Sequence, residues 1–310
     1  MSDGKGKKAV MRGLYGMTCV ILSAILFGLM PFFTKTAYGY GSNAYTVAFG
    51  RFFFGSLMLG TILSIYPKQH IIVQRKNWGD ILWMGIFYAA TPLLLFQSYN
   101  YMDSGIATIL HFSYPVAVIL LMWIFWNKRL NKLQWICCVL CAGGMLCFYT
   151  PGAAMSFYGS AMALLSGVFY AAYIVLLGQS AIRNMSPMLM TFWISVISSV
   201  VLGALALLKG ELIWKMSVEG WEAEILLAFS STVLAVSLFQ KGLMLCGEVK
   251  ASLLSTFEPL TSIVIGIVVF HELLTFHTIV GICCISLAVL LLILTAKTEK
   301  NFNSEEGIKK

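Results

Sequence analysis

Glu258 is the side chain in this sequence best placed to do chemistry. It stands seven residues into an apolar run that begins at Ala251, about 11 Å along a helix axis at 1.5 Å per residue, near the middle of a bilayer. Ionisable groups at that depth cost roughly 2.5 to 3.5 kcal/mol on insertion scales and therefore face a bundle interior or water. A carboxyl held there disfavours its charge and can take up and release a proton, which suits proton or cation coupling. A second run, from Gly105, brings His111 and Tyr114 to comparable depth from the other side. Each run carries a proline directly after its polar group, Pro115 and Pro259. Proline lacks the N–H that would reach four residues back, so the carbonyls of His111 and Ser255 are freed unless other groups pair with them.

On a helix Ala251, Ser255, Glu258 and Ser262 share one face, as do Ala107, His111, Tyr114 and Val118. Both faces are expected to line one central cavity that binds a small-molecule substrate. Gln97, Tyr99, Asn100, Tyr170, Tyr173 and Gln240 are candidates to complete its polar lining, although each could equally serve as interhelical hydrogen-bonding glue. Arg51 reads as a structural ion pair or carbonyl clamp. Lys35, near a helix end, reads as a snorkelling or gating residue. The prolines also have a plainer reading as packing kinks, and His111 as an interhelical hydrogen-bonding residue.

Enzymatic chemistry finds little to work with. His271-Glu272 begins like a zinc-protease motif, but HExxH requires a second histidine at position 275, which is threonine, and His277 is out of register. There is no P-loop and no Ser/His/Asp motif. All eight cysteines lie within apolar segments, and Cys138-Val-Leu-Cys141 has neither a redox context nor a second ligand pair. No metal and no cofactor is expected.

The elements that must position these groups follow from composition. In 310 residues, 59% are hydrophobic and 11% charged, with a mean hydropathy of +0.84, far outside soluble composition. A helix needs about 20 mostly apolar residues to cross a bilayer core, and ten such runs can be drawn. They are Gly13 to Tyr38, Asn43 to Tyr66, Trp78 to Met102, Gly105 to Trp126, Leu133 to Thr150, Phe157 to Gln179, Pro187 to Leu208, Trp221 to Leu245, Ala251 to Phe270 and Phe276 to Ala296. They lack the alternation of membrane barrel strands. The expected fold is an all-α membrane protein of ten transmembrane helices embedded in the lipid bilayer.

The formal charge of +8 could point to nucleic acid, but the basic residues sit in short connectors rather than on one face, so no nucleic-acid partner is expected. Of 21 lysines and arginines, Lys35, Arg51 and Lys241 belong to helices. With the amino terminus inside, only Lys209 and Lys215 fall outside and the other sixteen are cytoplasmic. The positive-inside rule then places both termini in the cytoplasm. The basic start, residues 1–12, leads into an apolar run too long for a signal peptide; residues 297–310 form a polar tail.

The two halves, 13–150 and 151–296, can be laid over one another. At an offset of 143, Leu22-Ser23 meets Leu165-Ser166, Phe49, Ser56 and Gly60 meet Phe192, Ser199 and Gly203, and Leu95-Phe96-Gln97 meets Leu238-Phe239-Gln240. After one added residue, Ala107, Leu110 and Pro115 meet Ala251, Leu254 and Pro259. An odd number of spans per copy forces the second to insert upside down, giving two inverted five-helix repeats with a site near midplane.

The stretches Ala24-Ile-Leu-Phe-Gly-Leu-Met-Pro-Phe-Phe-Thr-Lys35, Phe49-Gly-Arg-Phe52, Leu254-Ser-Thr-Phe-Glu-Pro259 and Phe270-His-Glu-Leu273, in this order and spacing, resemble the EamA-type ten-helix members of the drug/metabolite transporter superfamily. The resemblance covers essentially the whole chain. It departs from the family habit in carrying Lys128 where the second repeat has Glu272, and His111 and Tyr114 where many members have apolar or small residues. The resemblance implies secondary active transport of amino acids, related metabolites or drugs, often outward, by proton coupling or exchange, in a bacterial inner membrane, as a monomer or homodimer. The rival classes are a membrane receptor or scaffold that binds without transport, and an intramembrane enzyme.

Overall fold

The computed structural model describes residues 3–65, 77–127, 131–147, 156–180, 185–246, 254–255, 257–273, 275–277, 279–288 and 290–291. Among them all regular structure is helical. The helices are α1 (Asp3–Gly28), α2 (Met30–Gly39), α3 (Ala44–Ile65), α4 (Trp78–Ser98), α5 (Ser104–His111), α6 (Tyr114–Trp126), α7 (Lys132–Cys147), α8 (Phe157–Gln179), α9 (Pro187–Lys209), α10 (Val218–Leu227), α11 (Val236–Cys246), α12 (Phe257–Phe270) and α13 (Ile279–Ala288). A π-helical segment, Ala228–Ala235, joins α10 to α11. Among the described residues seven helical stretches are long and apolar enough to cross a membrane, and three shorter apolar helices accompany them. The ends expected at Tyr66, Thr150, Ala251 and Ala296, and the tail 297–310, lie outside the described residues.

Three expected spans are interrupted. The first breaks at Leu29, with Pro31 in the first turn of α2. Proline is tolerated there because those N–H groups have no helical partner. The span expected over Gly105–Trp126 is two helices separated by Phe112 and Ser113, with Pro115 opening α6. Pro259 likewise sits in the first turn of α12. The prolines therefore start new helices instead of bending continuous ones. The span expected over Trp221–Leu245 contains the π segment, which no residue pattern announces.

Large apolar side chains point outward all around the bundle: Leu208 is 87% exposed, Phe125 70% and Val139 69%. A water-soluble monomer rarely leaves such a surface; a lipid-facing one must. The interior is built from small or tightly fitted residues. A β-carbon on Gly60 would lie 3.1 Å from the Phe192 ring, and one on Gly203 would lie 3.0 Å from the Phe49 ring, so α3 and α9 lock together by two ring-on-glycine contacts.

Short connectors gather at one end of the bundle. Asn43 Nδ2 donates to the Glu211 carbonyl at 2.7 Å, Ser156 N–H donates to the Tyr101 carbonyl at 3.3 Å, and Lys35 reaches Glu272. At the other end Trp78 packs edge-on to Trp193, and Ser180 donates to Asp80.

Candidate functional site

The interruptions meet at the centre. Gly28, last in α1, leaves its carbonyl free, and Ser262 Oγ of α12 donates to it at 3.2 Å. A β-carbon on Gly28 would collide with Thr261 and crowd the Glu258 carbonyl, so only glycine lets the α1–α2 break approach α12 this closely. Gly167 of α8 does the same for the end of α5, since a β-carbon there would be 2.8 Å from the His111 carbonyl oxygen.

Between these breaks lies a cavity of about 40 Å³ lined by Phe27, Met30, Arg51, Tyr88, Thr91, Pro92, Leu95, His111, Tyr170 and Glu258. That is room for about three waters at roughly 10 to 15 Å³ each. Seven helices contribute: α1, α2, α3, α4, α5, α8 and α12.

Arg51 is 4% exposed. Its Nε donates to Thr232 Oγ1 of the π segment at 3.3 Å, and Tyr88 lines the same cavity. The wider π turn carries Ser230, Ser231 and Thr232 together, and its last carbonyl, Ala235, accepts from Ser23 Oγ at 2.7 Å; π turns of this kind recur at functional sites. Among the described residues the ion pair within 4 Å is Lys35–Glu272. Arg51 and Glu258 share the cavity without contact, so the structural ion pair considered for Arg51 is replaced by a hydroxyl-held guanidinium open to the cavity.

His111 is buried, with Nδ1 2.7 Å from Ser166 Oγ. Its ring lies 5.5 Å from that of Tyr170 and 5.9 Å from that of Tyr114. Tyr170 continues the cluster to Tyr114 at 4.8 Å, Tyr173 at 5.8 Å and Tyr88 at 6.3 Å. Aromatic walls of this kind give an apolar, polarisable surface with hydroxyl handles.

The remaining candidates lie elsewhere. Tyr99 is buried in the hydrophobic core, its hydroxyl 3.4 Å from Thr108 Oγ1. Gln97 is half-buried and Asn100 exposed at the connector end of α4; Gln97 does not line the cavity. α4 ends at Ser98, so Tyr99 and Asn100 belong to the turn that follows it and not to the helical face of Gln97. Ser255 is buried one turn before Glu258, whose N–H donates to its carbonyl at 3.0 Å. The backbone of Gln240 lies in α11, and its side chain is outside the description.

Lys35 is paired with an acid. Its Nζ donates to Glu272 Oε1 at 2.6 Å, and the same oxygen accepts from Ser104 N at 2.9 Å and Ser104 Oγ at 2.7 Å, while Oε2 accepts from Gly105 N at 3.3 Å. The carboxylate thus caps the first turn of α5, where backbone N–H groups favour negative charge. Burial pushes the Glu272 carboxyl up, but the hydrogen bonds from Lys35 and Ser104 outweigh it and hold the group below its ordinary value. Tyr88, Thr91, Thr232 and Ser166 were missed from the sequence. Only Ser166 carried a signal, as the repeat partner of Ser23.

The EamA-like transporter family model matches residues 14–150 and again 157–294. The chain belongs to the EamA-like transporter family. An uncharacterized transporter of Synechocystis sp. is 25% identical, covering 90% of this chain and 93% of its own, and one of Archaeoglobus fulgidus is 27% identical, covering 89% and 96%. The threonine/homoserine exporter RhtA of Salmonella typhimurium is 27% identical over 78% of this chain and 81% of its own. A solved crystal structure shares the fold with a TM-score of 0.64 at 13% identity, over 93% of this chain and 98% of that one. As an EamA-like transporter with several membrane-spanning helices, the protein is a multi-pass membrane protein.

Proposed function

We propose that this EamA-like protein is a secondary transporter that exports a small zwitterionic metabolite of the amino-acid type from the cell, in exchange for protons bound at Glu258. The observation that carries this reading is the placement of Arg51 and Glu258 in one central cavity without an ion pair between them. A buried guanidinium binds a carboxylate by paired hydrogen bonds, and a carboxylate across the cavity suits an ammonium. A zwitterion would neutralise both. Thr91 and the His111–Tyr114–Tyr170 wall would select its side chain. Similarity to a threonine/homoserine exporter supports both substrate class and direction.

Proton exchange follows if substrate and proton compete for Glu258. A protonated Glu258 releases the ammonium, and a deprotonated one recaptures it. The small cavity fits a closed conformation between loading events.

The architecture we infer is ten spans in two inverted five-helix repeats, with both termini cytoplasmic in the cell membrane. Seven long and three shorter apolar helices support the count. The packing supports the symmetry. The third span packs on the sixth as α4 on α8, and the eighth on the first as α11 on α1. Phe49 and Gly60 are answered by their repeat partners Phe192 and Gly203 across the α3–α9 contact. Inverted repeats would put the site between the halves at midplane, the depth expected of Glu258 and His111 from their place in the sequence.

Proteoliposomes loaded with labelled threonine or homoserine provide the test. An imposed proton gradient should drive efflux, and Glu258→Gln should abolish that drive while substrate exchange partly survives. Unchanged gradient-driven efflux in Glu258→Gln would refute the coupling role. Binding of these amino acids without any flux would favour the receptor reading.

A further inference from the structure

Glu224, on α10, belongs to none of the chemistry above. It is fully buried at 0% exposure. Ser42 Oγ donates to its Oε1 at 2.7 Å, while Oε2 is buried without a hydrogen-bond partner. Oε2 lies against Gly50 of α3, where any β-carbon would collide with it, so α3 opens a niche for this carboxyl.

Among the described residues no cation serves that niche. α10 packs on α2, α3 and the π segment. On α2 the titratable groups are Lys35, committed to Glu272, and Tyr38, whose hydroxyl donates to the Phe96 carbonyl at 2.8 Å. On α3 they are Tyr45, whose hydroxyl accepts from Lys209 Nζ at 2.9 Å, and Arg51, committed to Thr232 and the cavity. The π segment, Ala228–Ala235, holds no titratable residue. Tyr40 of the α2–α3 connector packs near Gly220, and the other acids of α10, Glu219 and Glu222, would add only repulsion. A buried carboxylate with a single neutral donor and no cation is far costlier than the neutral acid.

We infer that Glu224 is a second proton-binding site, carrying a proton on Oε2 while α2, α3 and α10 are packed together and releasing it when they part. The connector that holds the carboxyl reaches the surface: Tyr40 and Gly41 are exposed and Ser42 is half-buried. When these elements part, the Oε2–H bond breaks, the proton passes to an entering water, and water solvates the carboxylate that remains. This site goes beyond the transport reading and does not rest on it, because protonation is a property of the packed state.

Infrared spectroscopy of the purified full chain at neutral pH tests it in a Glu258→Gln background, where the cavity carboxyl is silent. The protonated-carboxyl stretch should persist in that background, disappear entirely with the added change Glu224→Gln, and fade reversibly on alkalinisation. An undiminished band in the double variant, or no band in Glu258→Gln alone, overturns the proposal. Should the double variant not fold, Ser42→Ala in the Glu258→Gln background decides: removal of the donor to Oε1 should move the band to higher wavenumber, and an unmoved band overturns the assignment. The measurement involves no substrate, so a failed transport assay leaves it intact and a failed band leaves the transport reading intact.

Discussion

Two pairs of opposite charge stand within the same bundle and are built differently. Lys35 and Glu272 touch at 2.6 Å at the connector end, and Glu272 is further held by Ser104 and Gly105 at the start of α5. Arg51 and Glu258 share the central cavity without touching. The first pair satisfies itself and ties α2, α5 and the turn after α12 into one latch. The second is left for something else to complete. A closed pair holds structure, whereas an open pair of opposite signs is a template for a ligand carrying both.

Charge exchange breaks the comparison most severely at the cavity. Arg51→Gln should weaken binding of threonine or homoserine about a hundredfold, because truncating one partner of a desolvated charge pair costs about 2 to 5 kcal/mol. The double exchange Arg51→Glu with Glu258→Arg should restore nothing, since the charges answer to substrate and to their own surroundings rather than to each other. Equilibrium binding to purified protein measures both; recovery in the double exchange would mean that Arg51 and Glu258 are a structural pair.

At the latch the expectation is smaller. Lys35→Met should cost about 2 kcal/mol, less than the 3 to 5 kcal/mol of a fully buried pair, because Lys35 is 20% exposed. Here the double exchange Lys35→Glu with Glu272→Lys should recover part of the loss but not all, as the N–H groups of Ser104 and Gly105 prefer a carboxylate. The pH dependence follows from Glu272, whose folded value is depressed. A depressed carboxyl contributes stability above its ordinary value of about 4.3, and that contribution is lost as pH falls through the folded value. Melting temperatures of wild type and Glu272→Gln should therefore differ most near neutrality and converge in acid. Asp103 beside it is pushed up by burial and by Glu272, with Lys35 opposing, so a residual acid-side dependence should remain in Glu272→Gln.

The smallest effect is expected one layer out. Ser166→Ala removes the hydroxyl that holds His111 Nδ1 and should weaken binding about fivefold, near the roughly 1 kcal/mol of one hydrogen bond, with melting little changed. A large loss of stability without loss of affinity would make His111 a packing residue.

The spans could be read in the sequence because bilayer thickness demands long apolar runs and tolerates few charges, so Lys35, Arg51, Glu258 and Lys241 stood out. His111 and Glu258 could be picked out through helical spacing and their prolines, but the faces drawn for them ran across breaks, since Tyr114 opens α6 and Ser255 precedes α12. What escaped depends on contacts between distant segments. Nothing near Lys35 announces Glu272, and Thr232 becomes a partner of Arg51 only through a π turn that Ser and Thr residues permit without signalling. Tyr99 and Asn100 were grouped with Gln97 as parts of one helix, although α4 ends at Ser98 and the chain turns there.

Under the proposed transport reading, the two ring-on-glycine contacts between α3 and α9 are expected to act as an axle. In a carrier whose halves rock against each other, points on the axle travel least and points at the rim travel most. A covalent tether joining α3 to α9 beside Phe49 and Gly203 would pass unnoticed through a transport cycle. The same tether laid across Lys35 and Glu272 would stall it, and the ratio of those two effects measures how far the halves swing.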